Sequence, residues 1–188
     1  MPHTSSSPFH CFRDDAMGES DATELAARIR SGEVSAEDVA RAAVQRARLA
    51  QPVLNGVVAE NYEQALKQAA SLPDPDAPFA GVPMFIKDNT DVAGLPTGHG
   101  TAAVPANVAR ATGAFARQML AQGYLNLGKS TLPEFGFNAT TEPAHAEPTR
   151  NPWNPAYSSG ASSGGAAALV AAGVVPVAHA NDGGGSIR

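Results

Sequence analysis

Val82-Pro-Met-Phe-Ile-Lys87 is the stretch on which the fold turns. It is bounded by Gly81 and by Asp88-Asn89, and its side chains alternate. Val82, Met84 and Ile86 fall on one face, and Pro83, Phe85 and Lys87 on the other, the period of a β-strand. Lys87 therefore shares its face with Phe85. Residues 112–122 then carry a helical pattern closed by Gly123, and Tyr-Leu-Asn-Leu-Gly (124–128) reads as a second short strand. Strand, helix, strand in that order predicts α/β layering. Further on, residues 166–172 read as a helix whose start abuts Ser162-Ser163-Gly164-Gly165. Residues 174–178 read as a strand leading into Asn181-Asp182-Gly183-Gly184-Gly185-Ser186.

Working back towards the start, Leu72 to Pro83 holds four prolines in twelve residues and reads as a surface connector. Residues 62–71 have a helical pattern, and Val-Leu-Asn-Gly-Val-Val (53–58) that of a short strand. Two helices precede them. Asp21 with Glu24 has capping-box spacing, Leu25 and Ile29 share a face, and Ser31-Gly32 ends the pattern. Ser35 caps a second helix over about 36–50, with Val39, Ala43, Ala47 and Ala50 along one stripe. Together they predict an N-terminal helical hairpin. The organisation expected is an N-terminal tail (1–20), a helical part (21–78) and the portion that carries the chemistry (79–188).

Composition narrows the class. The 188 residues are 43% hydrophobic and 16% charged, a globular balance with little charge, and suffice for one ordinary domain or part of a larger one. Thirteen Lys and Arg against 18 Asp and Glu give −5, with no basic cluster, so nucleic acid is not an expected partner. The longest apolar run, Ala166 to Ala178, is interrupted by Gly173 and Pro176, so no membrane span is expected either. The opening residues lack a secretory signal, and the single cysteine, Cys11, excludes an internal disulfide framework; cytoplasm is the expected location. Charge is also uneven. Residues 1–94 hold 8 basic and 14 acidic side chains, whereas the last 38 hold only Asp182 and Arg188 among nine Ala and seven Gly. That composition suits close backbone packing around a site.

Three Gly- and Ser-rich signals compete for that site. Gly123 to Ser130 matches a phosphate-binding loop letter for letter, but such a loop must follow a strand and open a helix, and here the order is reversed. Lys129 is then a surface or supporting charge at a strand end. Gly160-Ala161-Ser162-Ser163-Gly164 fits the nucleophile elbow of α/β-hydrolases, with a helix after it. Before it, however, Asn-Pro-Trp-Asn-Pro-Ala-Tyr-Ser-Ser (151–159) reads as turn rather than strand, and His179 precedes Asp182 where the elbow's partners come in the order acid, then His. A Ser162-nucleophile esterase is the mechanistic alternative, and a non-catalytic binding module, with the Gly and Ser segments as structural turns, is the alternative from another class.

The third signal is composite: IKDN around Lys87, GASSGGAAALVAAG around Ser162 and NDGGGSIR around Ser186. With GLPTGHG, GKSTLPEFGF and PTRNPWNP between them, these resemble the amidase signature family of hydrolases over residues 79–188. The resemblance implies a mixed, twisted β-sheet core flanked by helices, and a catalytic unit of Ser186, Ser162 in a cis peptide, and Lys87. An amide is a poor electrophile with a poor leaving group, so a serine attacking it needs a base and the departing nitrogen needs an acid. With no suitable histidine, a lysine serves if burial lowers its pKa from about 10.4 towards neutrality. Backbone N–H groups of Gly183, Gly184 and Gly185, with that of Ser186, are the candidate oxyanion donors, and Ser163 and Asp182 are candidate supporting residues. No cofactor and no metal site is implied, and the five histidines show no ligand spacing; His179 and His99 are expected as polar packing partners. The expected partner is a small amide substrate, with a homodimer open to the full-length protein.

Where the family usually has Gly-Gly before the paired serines, this chain has Gly160-Ala161; where it usually has Gly-Thr before the aspartate, it has Ala180-Asn181, and Gly183 replaces a bulkier residue. The last two resemble the branch containing 6-aminohexanoate cyclic dimer hydrolase and related bacterial amidases. They disfavour the glutaminase subunit of a transfer-RNA amidotransferase relative to amidases for small, aryl, cyclic or oligomeric amides. Family members continue well beyond the position of Arg188, so these 188 residues are expected to be a fragment, inactive alone.

Overall fold

The computed structural model describes residues 7–188. Its elements run α1 (Ala22–Arg30), α2 (Ala36–Leu54), β1 (Val57–Glu60), α3 (Tyr62–Ser71), β2 (Pro83–Lys87), β3 (Pro96–Thr97) and β4 (Asn107–Val108). They continue with α4 (Ala114–Leu120), β5 (Leu125–Ser130), β6 (Arg150–Asn151), β7 (Asn154–Ser158), α5 (Gly164–Ala171) and β8 (Val177–Ala178). The main sheet has the order β1-β5-β2-β8, with β1 antiparallel to β5 and both β5 and β8 parallel to β2. It is mixed, and helices flank it. Every residue of β2 and β5 is buried, as strands covered on both faces must be. Apolar side chains from α1, α2, β2 and α5 make one continuous core.

Helix starts follow the sequence signals. Asp21 caps α1 by accepting from the Thr23 and Glu24 amides at 2.8 and 2.9 Å, and Ser35 caps α2 through the Asp38 amide at 3.0 Å. The two helices are present as expected, although α2 finds its main helical partner in α3. Ends depart more. Helix α2 runs four residues past Ala50, through Pro52, and takes Val53 and Leu54 from the expected strand, which begins only at Val57. Proline removes one hydrogen-bond donor, but Leu54 is fully buried and Asn55 closes the turn in the left-handed region (φ 49°). The Gln51 side chain then ties the helix end to the Val57 amide and carbonyl at 2.9 Å each.

Other expectations also need correction. The connector is not wholly superficial: Ala77 and Ala80 are buried, and the Phe79 and Gly81 amides donate to Gln122 and Gly123. Helix α4 is shorter than the pattern over 112–122, and β8 keeps only two of the five residues expected in its strand. Most of the stretch 151–159, read as turn, belongs to the β6–β7 hairpin, a separate two-stranded sheet. The expected tail is packed from Phe9 onward, with Cys11 and Met17 buried and the Cys11 amide donating to Ala172 at 2.6 Å. Residues 1–6 of that tail lie outside the described residues. Among the described residues no helix is long and apolar enough to cross a membrane.

Candidate active site

Parallel strands leave their carboxyl ends on one side of a sheet, and ligands of open α/β sheets bind there. Lys87 ends β2, and the loop after β8 carries Asn181 to Ser186 past the same edge. Beyond the β6–β7 hairpin the chain turns through Ser162 and Ser163 into α5. Two threonines and three glycines set the position of that turn. Thr141 Oγ1 donates to Gly160 O at 2.7 Å, and the Gly165 amide donates to Thr131 O at 3.2 Å. A Cβ on Gly164 would stand 2.1 Å from Thr141 Oγ1, and one on Gly165 2.4 Å from Thr131 Oγ1. Only glycine allows this approach. On the other side, Gly136 (φ +72°) packs against Ser162: a Cβ there would meet Ser162 Oγ at 3.8 Å. The Ala161–Ser162 peptide is cis.

These elements bring Lys87, Ser162, Ser163 and Ser186 into one cluster. Lys87 Nζ lies 2.8 Å from Ser162 Oγ and 2.9 Å from Ser163 Oγ, and Ser162 Oγ lies 3.3 Å from Ser186 Oγ. Ser163 Oγ is also 3.1 Å from Ser186 Oγ and donates to Asn181 O at 3.2 Å. Ser186 Oγ donates to the same carbonyl oxygen. Lys87 is fully buried and has no carboxylate among its hydrogen-bond partners, and desolvation pushes its pKa down to about 8. A lysine in that state is neutral often enough to accept a proton.

Sequence reasoning missed three neighbours. Asn181, noted above only as a departure from the family pattern, places Oδ1 2.7 Å from Lys87 Nζ. His179 fills its expected packing role, with its ring 4.6 Å from that of Phe115, but its Nδ1 also accepts the Lys87 backbone N–H at 3.3 Å. Burial first, then the charges of Lys87 and Lys129, push the His179 pKa down to about 4, so the imidazole is neutral and able to accept. Asp88, next to Lys87, pairs with Lys129 at 3.1 Å and accepts the Gly98 amide at 3.1 Å. Burial raises the Asp88 pKa against the opposing pull of Lys129. Lys129 is fully buried at the end of β5, which removes its surface reading. An acidic residue directly after a strand-terminal lysine was the available signal.

The glycine-rich loop is organised by Asp182. Its carboxylate accepts from the Gly185, Ile187 and Arg188 amides and pairs with the Arg188 guanidinium at 2.7 Å. Arg188 first, with those amides, holds the carboxyl well below the usual carboxylate range. The Gly185 N–H is thus engaged at 2.6 Å, while positions 183 and 184 have open space where a Cβ would stand. His99 lies apart from the cluster at φ +52°, its amide donating to Asp88 O. Among the described residues no group of three His, Cys, Asp or Glu could hold a metal ion. Gly123 to Ser130 forms a helix end and a buried strand rather than a phosphate-cradling loop.

An α/β sheet with a buried lysine and three converging serines at its carboxyl edge defines a class of protein with hydroxyl chemistry. The amidase family profile matches residues 38–188, and the chain belongs to that family. It is 52% identical over 179 residues to a Mycobacterium tuberculosis protein named "Putative amidase AmiC", covering 95% of this chain and 38% of that one. It is 39% identical over 171 residues to the 6-aminohexanoate-cyclic-dimer hydrolase of Paenarthrobacter ureafaciens, covering 89% and 34%. A solved 6-aminohexanoate cyclic dimer hydrolase superposes with TM-score 0.86 at 36% identity over 94% of this chain and 36% of that one. A bacterial aryl acylamidase of the amidase signature family does so with TM-score 0.82, also at 36% identity, over 90% and 36%. The fold is that of the amidase signature enzymes. The chain spans less than two fifths of the length of these curated relatives.

Proposed function

We propose that the protein to which these residues belong hydrolyses a carboxamide C–N bond, with Ser186 as nucleophile, Ser162 as proton relay and Lys87 as base. The observation that carries this reading is the continuous path from buried Lys87 Nζ through Ser162 Oγ to Ser186 Oγ, in steps of 2.8 and 3.3 Å. Ser186 Oγ, whose hydrogen rests on Asn181 O, turns that hydrogen to Ser162 Oγ as it attacks the carbonyl carbon, and the Ser162 proton passes to neutral Lys87. The C–N bond then breaks, and the leaving nitrogen takes the proton back along the same path. Water attacks the acyl-serine by the same relay, releasing the carboxylate and freeing Ser186. Gly183 and Gly184, with the Ser186 N–H, offer donors to the oxyanion, since the Gly185 N–H is held by Asp182. Ser163 and Asp182 hold the relay and the loop in place.

A small linear, aryl, cyclic or oligomeric amide is the substrate class, supported by the likeness to an aryl acylamidase and a cyclic-dimer hydrolase. A cytoplasmic location, with neither membrane nor nucleic acid as partner, fits the acidic charge and the lone cysteine, which is buried and outside any disulfide. The test is a fluorophosphonate probe applied to the whole protein to which these residues belong, followed by mass mapping of the labelled peptide. Label on Ser186, lost in Ser186→Ala and slowed in Ser162→Ala, is the expected result. Label on Ser162 would move the nucleophile to the elbow, and folded protein that takes no label would leave only the binding-module reading.

A further inference from the structure

Three oxygen atoms surround Lys87 Nζ: Ser162 Oγ at 2.8 Å, Ser163 Oγ at 2.9 Å and Asn181 Oδ1 at 2.7 Å. The first two are hydroxyls, able to give or accept a hydrogen bond. The third is an amide carbonyl, which can only accept. In the structure it is Oδ1 that faces Nζ, so Asn181 accepts from the lysine whether the amine is neutral or charged. Asn181 also acts through its backbone. Its carbonyl oxygen accepts from Ser163 Oγ at 3.2 Å and from Ser186 Oγ. The Ser163 hydrogen is thereby committed, which leaves its oxygen to accept from Lys87.

A neutral amine has two hydrogens and one lone pair, so three neighbours cannot all be acceptors. We propose, on the amide-hydrolase reading of this site, that Asn181 is a positioning residue that aims the Lys87 lone pair at Ser162. Its side-chain carbonyl takes one hydrogen, and its backbone carbonyl turns Ser163 into the acceptor of the other. Only Ser162 then remains to donate into the lone pair, and its proton is the one the relay must move. Once Lys87 is protonated, the same three oxygens accept all three hydrogens. The site thus holds both states of the base without moving a heavy atom, which is the preorganisation that proton transfer needs.

Other titratable groups near Lys87 are engaged elsewhere. His179, following β8, is neutral and turns Nδ1 to the Lys87 backbone N–H. Asp88, following β2, pairs with Lys129 of β5, and Asp182 with Arg188. Replacing the Asn181 amide by a carboxylate therefore adds a charge where none now touches Nζ.

The experiment uses the whole protein to which these residues belong, labelled with [13Cε]lysine, as wild type, Asn181→Asp and Asn181→Leu, and follows the Lys87 carbon through a pH titration together with the rate of fluorophosphonate labelling. In Asn181→Asp the adjacent carboxylate favours the ammonium, so the Lys87 midpoint moves up by about one pH unit or more, and labelling at pH 7 slows by about tenfold and recovers at higher pH. In Asn181→Leu, which keeps the branched shape without the acceptor, labelling slows by roughly ten- to a hundredfold at every pH. A Lys87 midpoint unchanged in Asn181→Asp, or labelling unchanged in Asn181→Leu, would overturn the assignment. Failure of the hydrolase reading looks different: wild-type Ser186 then takes no label, while the Lys87 titration still reports on Asn181.

Discussion

Lys87 releases its proton more readily than an ordinary lysine, and burial alone accounts for it. Its side chain is fully buried against hydroxyls and an amide, with no carboxylate to favour the ammonium, and its pKa falls to about 8. At pH 7 about a tenth of the molecules then hold a neutral base, so Ser186 labelling should rise with pH through a midpoint near 8 and level off above it. Lys87→Met should abolish that rise and most of the labelling; a rise that survives would assign the base elsewhere. Stability gives an independent check. The unfolded chain keeps the Lys87 proton up to about 10.5 while the folded chain releases it near 8, so the unfolded state binds more protons between those values. Folding stability from this group therefore increases with pH across that window, and denaturant unfolding of Lys87→Met should lack the increase. Lys87, Ser162 and Ser186 could all be read in the sequence because each sits in a marked context: the end of an alternating strand, or a glycine-rich turn. Asn181 had no such mark. Its role comes from a contact across 94 positions of sequence, and an asparagine beside an aspartate reads equally well as a turn residue.

At the scale of elements, glycines decide where the chain passes, and each placement can be tested. Gly128 sits in β5 at φ +145°, and a Cβ there would lie 2.2 Å from Ala59 O of the neighbouring strand. Both strands paired with β5 shift register nearby, between Val57 and Ala59 and between Met84 and Ile86. The glycine that completed a phosphate-loop pattern in the sequence is thus the residue that lets β1 close on a bulged strand. Gly128→Ala should lower stability by about 1–3 kcal/mol or more in a denaturant titration, and Mg–ATP should leave the wild-type Tm unchanged. Gly165 poses the complementary case, since Thr131, Gly56 and the start of α5 meet there without room for a methyl group. Gly165→Ala should push α5 outward and, by displacing Ser162 and Ser163 about 1 Å, slow labelling of Ser186 by about a hundredfold. A variant that labels at the wild-type rate would show that the turn tolerates the shift. The starts of α1 and α2 were legible because a capping side chain is a local device. The ends of α2 and β8 were not, because tertiary anchors such as Leu54 and the Gln51–Val57 bonds set them.

Across the whole molecule, one buried cation joins parts of the chain that no strand pairing connects. Arg46, on α2, is 2% exposed. Its guanidinium meets both Asp15 oxygens, at 2.9 and 2.6 Å, and donates to Gly18 O at 2.8 Å and to Gly173 O, beyond α5, at 2.7 Å. The N-terminal segment, α2 and the turn leaving α5 are thus held by one side chain, while Cys11 and Met17 fill the core beneath. Burial alone would raise the Asp15 pKa, but the Arg46 hydrogen bond and charge, with the Met17 and Gly18 amides, lower it overall. A lowered carboxylate contributes stability that is present above its unfolded value and lost as pH falls through its folded one, so this clasp should weaken only in acid, below the ordinary aspartate value. At neutral pH, Arg46→Ala leaves the half-buried Asp15 carboxylate and buried carbonyls without their donor and should cost about 3–5 kcal/mol. Arg46→Lys keeps the charge but not the planar fork that reaches all these acceptors, and it should recover only part of the loss. Limited proteolysis locates the effect: cleavage should appear first within residues 9–20 in both variants. If both variants melt together with wild type and stay uncut in that segment, the packing of Phe9, Cys11 and Met17 alone holds the N-terminal segment in place, and Arg46 only follows it.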